Sequence, residues 1–153
     1  MTKRTLWMLV SCCLIIGVCS SSRIDAQDAS TQSKLIGKWT NQNETKGPAT
    51  ISITAVDSAT GQLKGKYSAP SGAASGKEFD IVGWVSSAPP AANRDNVIVV
   101  SFSVSLTSYG SIATWTGFLK DNKIIAASSN ARSNTGYEWD HITATYDVWT
   151  KSP

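Results

Sequence analysis

Apolar and polar positions alternate with a period of two from Leu35 almost to the end of the chain, and no segment carries helical spacing. Short β-branched and aromatic runs alternate with Gly, Pro, Asn, Asp and Ser. They predict strands at roughly 35–41, 49–55, 62–68, 79–87, 97–107, 111–119, 122–128 and 140–150. The breaks carry turn chemistry: DSATG at 57–61, DNK at 121–123, and the longer SAPSGAASG and SAPPAANRDN loops. Eight strands with short connections and no helix to cover a sheet face suggest a sandwich or an up-and-down barrel. Closure removes exposed edges, so the expected fold is all-β, an eight-stranded antiparallel up-and-down β-barrel. Such a barrel has room for packed side chains or for one small ligand.

Side chains two apart share a face. In GKWTN, Gly37, Trp39 and Asn41 lie together; Leu63, Gly65 and Tyr67 do so in the third strand, and Phe102, Val104 and Leu106 in the fifth. The sixth puts Ser111, Ala113, Trp115 and Gly117 opposite Ile112, Thr114, Thr116 and Phe118. The last puts His141, Thr143, Thr145, Asp147 and Trp149 opposite Ile142, Ala144, Tyr146 and Val148. Several strands are apolar on both faces, which points to a partner subunit on the outside. Asp147 has two accounts. It is a rim residue, solvated or paired with a Lys, or it converges with Asn41 and Tyr67 on a polar ligand at the end of an apolar pocket.

The first 26 residues change the picture of charge and compartment. Lys3 and Arg4 precede an apolar run from Leu6 to about Val18, too short to span a bilayer, which reads as a secretory signal. Cleavage is expected after Ala26, with Ser20 as the alternative, and a lipoprotein signal at Cys19 is disfavoured by Val18. The product would be secreted, or periplasmic in a Gram-negative host. Residues 27–34 are polar and expected to be loose, and 35–151 form the barrel domain. All three cysteines (Cys12, Cys13, Cys19) fall in the leader, so the exported chain would hold together by its core alone. Removing Lys3, Arg4, Arg23 and Asp25 with the leader leaves eleven Lys/Arg against ten Asp/Glu, a net charge of +1. No basic stripe invites nucleic acid or an anionic membrane.

The ordered set GKWTNQ, GQLKGKY, GWVSSAP, TWTG, and a Trp followed eight residues later by Asp and then WTK resembles the avidin–streptavidin family over Leu35 to Lys151. The resemblance implies biotin held inside the barrel and a homotetramer built as a dimer of dimers. It further implies that Asn41, Tyr67 and Thr45 donate to the ureido oxygen of biotin while Asp147 accepts from a ureido N–H. Trp115 matches an aromatic wall, Ser111 a hydroxyl near the carboxylate tail, and Trp139 a residue that reaches a neighbouring subunit's pocket. Ala69 to Ala74 matches a loop that folds over the ligand.

The departures from the family pattern are specific. Leu106 stands at a pocket tryptophan, small residues around Ala127 and Ser128 replace another, Ala69 replaces a hydroxyl residue, and Ala113 replaces a threonine. Truncating a core aromatic costs about 3–5 kcal/mol, and an unpaired N–H in a dry pocket costs about 1–3 kcal/mol. Biotin binding weaker than in well-known family members is therefore expected. The alternative is a barrel that has lost biotin and serves as an oligomeric structural or interaction module, or takes another cyclic urea or amide. An enzyme finds little support: His141 has no identifiable nucleophile beside it, and one His with scattered carboxylates makes no metal site. No catalytic residue, metal or cofactor is expected. A carrier of greasy ligands would share the barrel but not an inward Asp147 and Asn41. Asn43 opens a glycosylation sequon, NET at 43–45.

Overall fold

The computed structural model of the protein describes residues 34–42, 48–87, 95, 97–133 and 141–153. Eight strands run in chain order: β1 (Gly37–Asn41), β2 (Thr50–Val56), β3 (Gln62–Ser68), β4 (Glu78–Ser86), β5 (Ile98–Leu106), β6 (Ser111–Lys120), β7 (Lys123–Arg132) and β8 (Ile142–Lys151). Each pairs antiparallel with the next, and β8 returns to β1, so the sheet closes into a barrel. This is the architecture that the alternation predicts.

The turns are built from the residues that punctuate the sequence. Asp57 accepts from the backbone N–H groups of Ala59 and Thr60 at 2.9 and 2.8 Å and from the Thr60 hydroxyl at 2.9 Å. Those bonds, the backbone bond from Thr60 foremost, favour the charged form and hold the Asp57 carboxyl below its usual range. Asp121 and Asn122 both take positive φ, the conformation that a tight hairpin matching the strand twist requires.

Most boundaries fall within two residues of the expectation, and two of the differences have a physical cause. Leu35 precedes β1 rather than opening it, yet it is fully buried and accepts a 2.8 Å hydrogen bond from the Trp39 indole. The seventh strand extends to Arg132, four residues past the expected end. Ser129 to Arg132 lack an apolar alternation, but their backbone pairs with β6 on one side and with β8 and His141 on the other. The ladder, not hydrophobicity, carries the strand onward.

Register lays the lumen-facing side chains of β5 to β8 in five rows. From the apolar end these are Ile98, Leu119, Ile124 and Trp149; then Val100, Gly117, Ala126 and Asp147; then Phe102, Trp115, Ser128 and Thr145. Val104, Ala113, Asn130 and Thr143 follow. The last row is Leu106, Ser111 and Arg132, continued to His141 by backbone hydrogen bonds. The first row is a dry core, with Trp149 and Ile124 fully buried. The outer surface keeps Trp84, Val99, Ile112, Ile142 and Tyr146 exposed.

Close approach of β6 and β7 depends on Gly117. A Cβ there would sit 1.9 Å from the Ile125 carbonyl oxygen and 2.5 Å from the Ala126 Cα, and neither backbone atom can swing aside. Gly117→Ala is expected to destabilise the fold by about 1–3 kcal/mol through overpacking, read as a lowered urea midpoint at unchanged slope. A wild-type midpoint would mean that the two strands separate at little cost.

Candidate functional site

Asp147 decides between its two accounts by its position. It lies in the second lumen row at 8% exposure, inside the barrel rather than at the rim. A carboxylate that far from water needs strong hydrogen bonds. Its partner is an indole rather than a lysine: Trp115 Nε1–H donates to Asp147 Oδ2 at 2.7 Å. The two residues stand on β6 and β8, with β7 between them. Ala126 and Ser128 are the β7 residues at that level, and their small size leaves the Trp115 ring free to reach across.

Around Trp115 the aromatic residues of the lumen gather. Phe102 stacks on it at 5.1 Å between ring centroids and 18° between planes. Trp149 meets it edge-on at 5.8 Å, and Tyr67 lies tilted at 5.6 Å. Such pairs add about 0.5–1.5 kcal/mol each beyond their burial. Asn41 is buried at 4% exposure on β1, directly opposite Trp149 of β8, and so one row from Asp147. The structure thus brings Asn41, Tyr67, Trp115 and Asp147 to one part of the lumen.

Ser111 lies two rows outward from Trp115, half-buried, with its hydroxyl donating to Asn130 Oδ1 at 2.7 Å. Thr45 and Trp139, also expected in the site, lie outside the described residues, as does Asn43. Leu106 packs partly buried against the core, and Ala69 and Ala113 are buried as the lumen alternation requires. The 69–74 segment is folded by its own bonds, with Gly76 N–H donating to the Ala69 carbonyl and Ser75 N–H to that of Gly72.

Several further lumen residues join the site. Phe102 and Trp149 form the wall and floor against Trp115. Ser128 and Thr145, facing each other with hydroxyl oxygens 2.6 Å apart, make the adjoining wall polar. Asn130 belongs to the same side, and the signal for it was the parity of Ile124, Ala126, Ser128 and Asn130, had the strand been carried past Ser128. Among the described residues, no group of His, Cys, Asp or Glu side chains comes together to hold a metal ion. A buried acceptor, a buried amide, a phenol and an aromatic box can fix a small polar ring without chemical change.

Trp115→Phe is expected to destabilise the protein by about 1.5–3 kcal/mol, because it takes the donor from a buried carboxylate while keeping most of the ring contact. Asp147→Asn, which keeps an acceptor without the charge, should be milder. Chemical denaturation of the two variants checks the order, and equal losses would deny the indole–carboxylate bond its weight.

The solved structures similar to this chain include core-bradavidin, at 27% identity and TM-score 0.63, with 75% of this chain and 97% of the other covered. Bradavidin matches at 28% identity and TM-score 0.62, covering 76% and 79%. A bradavidin2–biotin complex shares the fold at 15% identity and TM-score 0.57, covering 76% and 96%. No curated protein matches the chain. The family model described as the avidin family matches residues 29–152, and with nearly the whole barrel inside that span the chain belongs to the avidin family.

Proposed function

We propose that this protein binds biotin by its ureido ring inside the barrel, without catalysis or cofactor, and acts by sequestration. The observation that carries this reading is the buried Asp147 carboxylate, fixed by Trp115 one row from Asn41. A carboxylate is a poor choice for a lumen that only needs filling, since an apolar side chain would pack there without the desolvation cost. With one oxygen engaged by the indole, Asp147 retains acceptor capacity for a ureido N–H. Asn41, Tyr67 and Thr45 would supply donors to the ureido oxygen, and Ser111 and Trp139 would lie nearer the tail. A family of binding proteins and a bradavidin2–biotin complex of the same fold support the ligand.

Weaker binding than in well-known members follows from the lining. Ser128 and Thr145 line the wall beside Trp115, and Leu106 replaces an aromatic side chain at the mouth. Export by residues 1–26, a barrel domain over 35–151 and assembly as a homotetramer complete the proposal. The exposed outward Val99, Ile112, Ile142 and Tyr146 support a subunit contact. The polar Ser128–Thr145 wall also favours a second reading, in which the barrel has exchanged biotin for another cyclic urea or amide or serves only in assembly.

Calorimetric titration of biotin into the purified protein separates these. One biotin per chain is expected, and Asn41→Ala and Asp147→Ala should each weaken binding by about tenfold to a hundredfold. No heat at millimolar biotin from folded protein would select the second reading. Unchanged affinity in both variants would misplace the ureido end.

A further inference from the structure

The outer rows of the lumen on β6 and β7 carry a polar set that the ureido site does not use. Ser111 gives its proton to Asn130 Oδ1. That bond turns the amide so that Asn130 Nδ2, with two N–H groups, faces away from Ser111. Arg132 follows on the same face of β7, one row nearer the mouth, exposed and without an ion-pair partner among the described residues. Its backbone is tied at both ends, its N–H donating to the His141 carbonyl at 2.8 Å and its carbonyl accepting from His141 Nδ1–H at 2.7 Å. Beyond it, Ser133 is anchored to the Gly110 carbonyl by its N–H at 2.8 Å and its hydroxyl at 3.1 Å.

We infer that Asn130 and Arg132 form an anion-reading subsite, with Ser111 as its positioning residue, that selects ligands with a free carboxylate tail. This deepens the biotin reading and rests on it. Spacing supports the span. Asn130 is in register with Thr143, four residues from Asp147 on β8, so about 14 Å of strand separates the two rows. Side chains leaning into that gap leave the length of a fused-ring head carrying a four-methylene acid. Chemistry supports the sign. Two amide N–H groups and a guanidinium offer donors, and a carboxylate accepts charge-assisted bonds that a neutral amide cannot match. The hydroxyl expected near the tail therefore acts through Asn130, which presents the donors. The consequence is selection of the free acid over conjugates in which that carboxylate has become an amide.

Affinities of biotin and of biotinamide, measured by calorimetry on the wild-type protein and on Arg132→Gln, Asn130→Ala and Ser111→Ala, test this. The wild type is expected to prefer the acid by about tenfold. Arg132→Gln, at an exposed position, should bring that ratio to near unity by weakening biotin far more than biotinamide. Asn130→Ala and Ser111→Ala should both lower the ratio, Ser111→Ala by no more than Asn130→Ala because the hydroxyl acts through the amide. Equal wild-type affinity for the two ligands, or a ratio that Arg132→Gln does not move, would overturn the subsite while leaving the ureido site standing. Failure of both ligands to bind the wild type would overturn the biotin reading, and the subsite with it.

Discussion

A hydrogen bond from the Trp115 indole to the buried Asp147 carboxylate is the contact on which the organisation of the lumen turns. It joins β6 to β8 over the top of β7, so it forms only when those three neighbouring strands are in register. Ala126 is the β7 residue in register with Asp147, and it is small and buried. Gly117, in the same row, lets β6 approach closely enough for the pair to meet. The bond in turn sets the plane of Trp115. Phe102 can then stack on one side, with Trp149 against the ring edge-on. A polar requirement at one atom thus dictates small residues on two neighbouring strands and the geometry of an aromatic cluster.

What the sequence disclosed follows from the same logic. Strict alternation is readable without register, so Asn41, Tyr67, Trp115 and Asp147 fall on the lumen face from parity alone. The eight-strand closed sheet and the avidin family follow from strand count and ordered motifs. Contacts between strands are different, because they depend on which residue stands opposite which. The stacking of Phe102 on Trp115 requires their pairing across β5 and β6, which no single-strand pattern encodes. Trp149 and Trp84 illustrate the limit. Parity alone leaves open which face is inward, and the closed register puts Trp149 in the dry floor and Trp84 on the outer face at 58% exposure. The end of β7 was missed because Ser129 to Arg132 are held by backbone pairing on both sides, a cause invisible to hydrophobic periodicity.

Along β7 the lumen changes character in regular steps. Ile124 and Ala126 are buried, Ser128 and Asn130 are half-buried hydroxyl and amide, and Arg132 is exposed and charged. Polarity rises from the buried row toward the exposed one, as solvation demands. A pocket of this kind exchanges apolar area for hydrogen bonds. Apolar wall area contributes about 25 cal/mol per Å² whatever the ligand's end groups, whereas hydrogen bonds reward only a ligand whose groups match them. On the proposed reading, Ser128 and Leu106 in place of aromatic walls lower affinity broadly. They do not lower discrimination in the same proportion.

That separation gives the polar mouth its meaning. A site that closes over its ligand with aromatic walls reads shape and gains little from charge at the tail. A site with a wet wall, Ser128 against Thr145, must hold the tail by named donors if it is to hold it at all. Ser111 and Asn130 are already bonded to each other, so the amide is oriented before any ligand arrives and less freedom is lost on binding. Arg132 is fixed at its backbone, and its side chain is exposed in the outermost row. On the proposed reading selectivity resides at the mouth, in charge, while the deep end recognises the ring; the two are separated by the length of the ligand and can be altered independently.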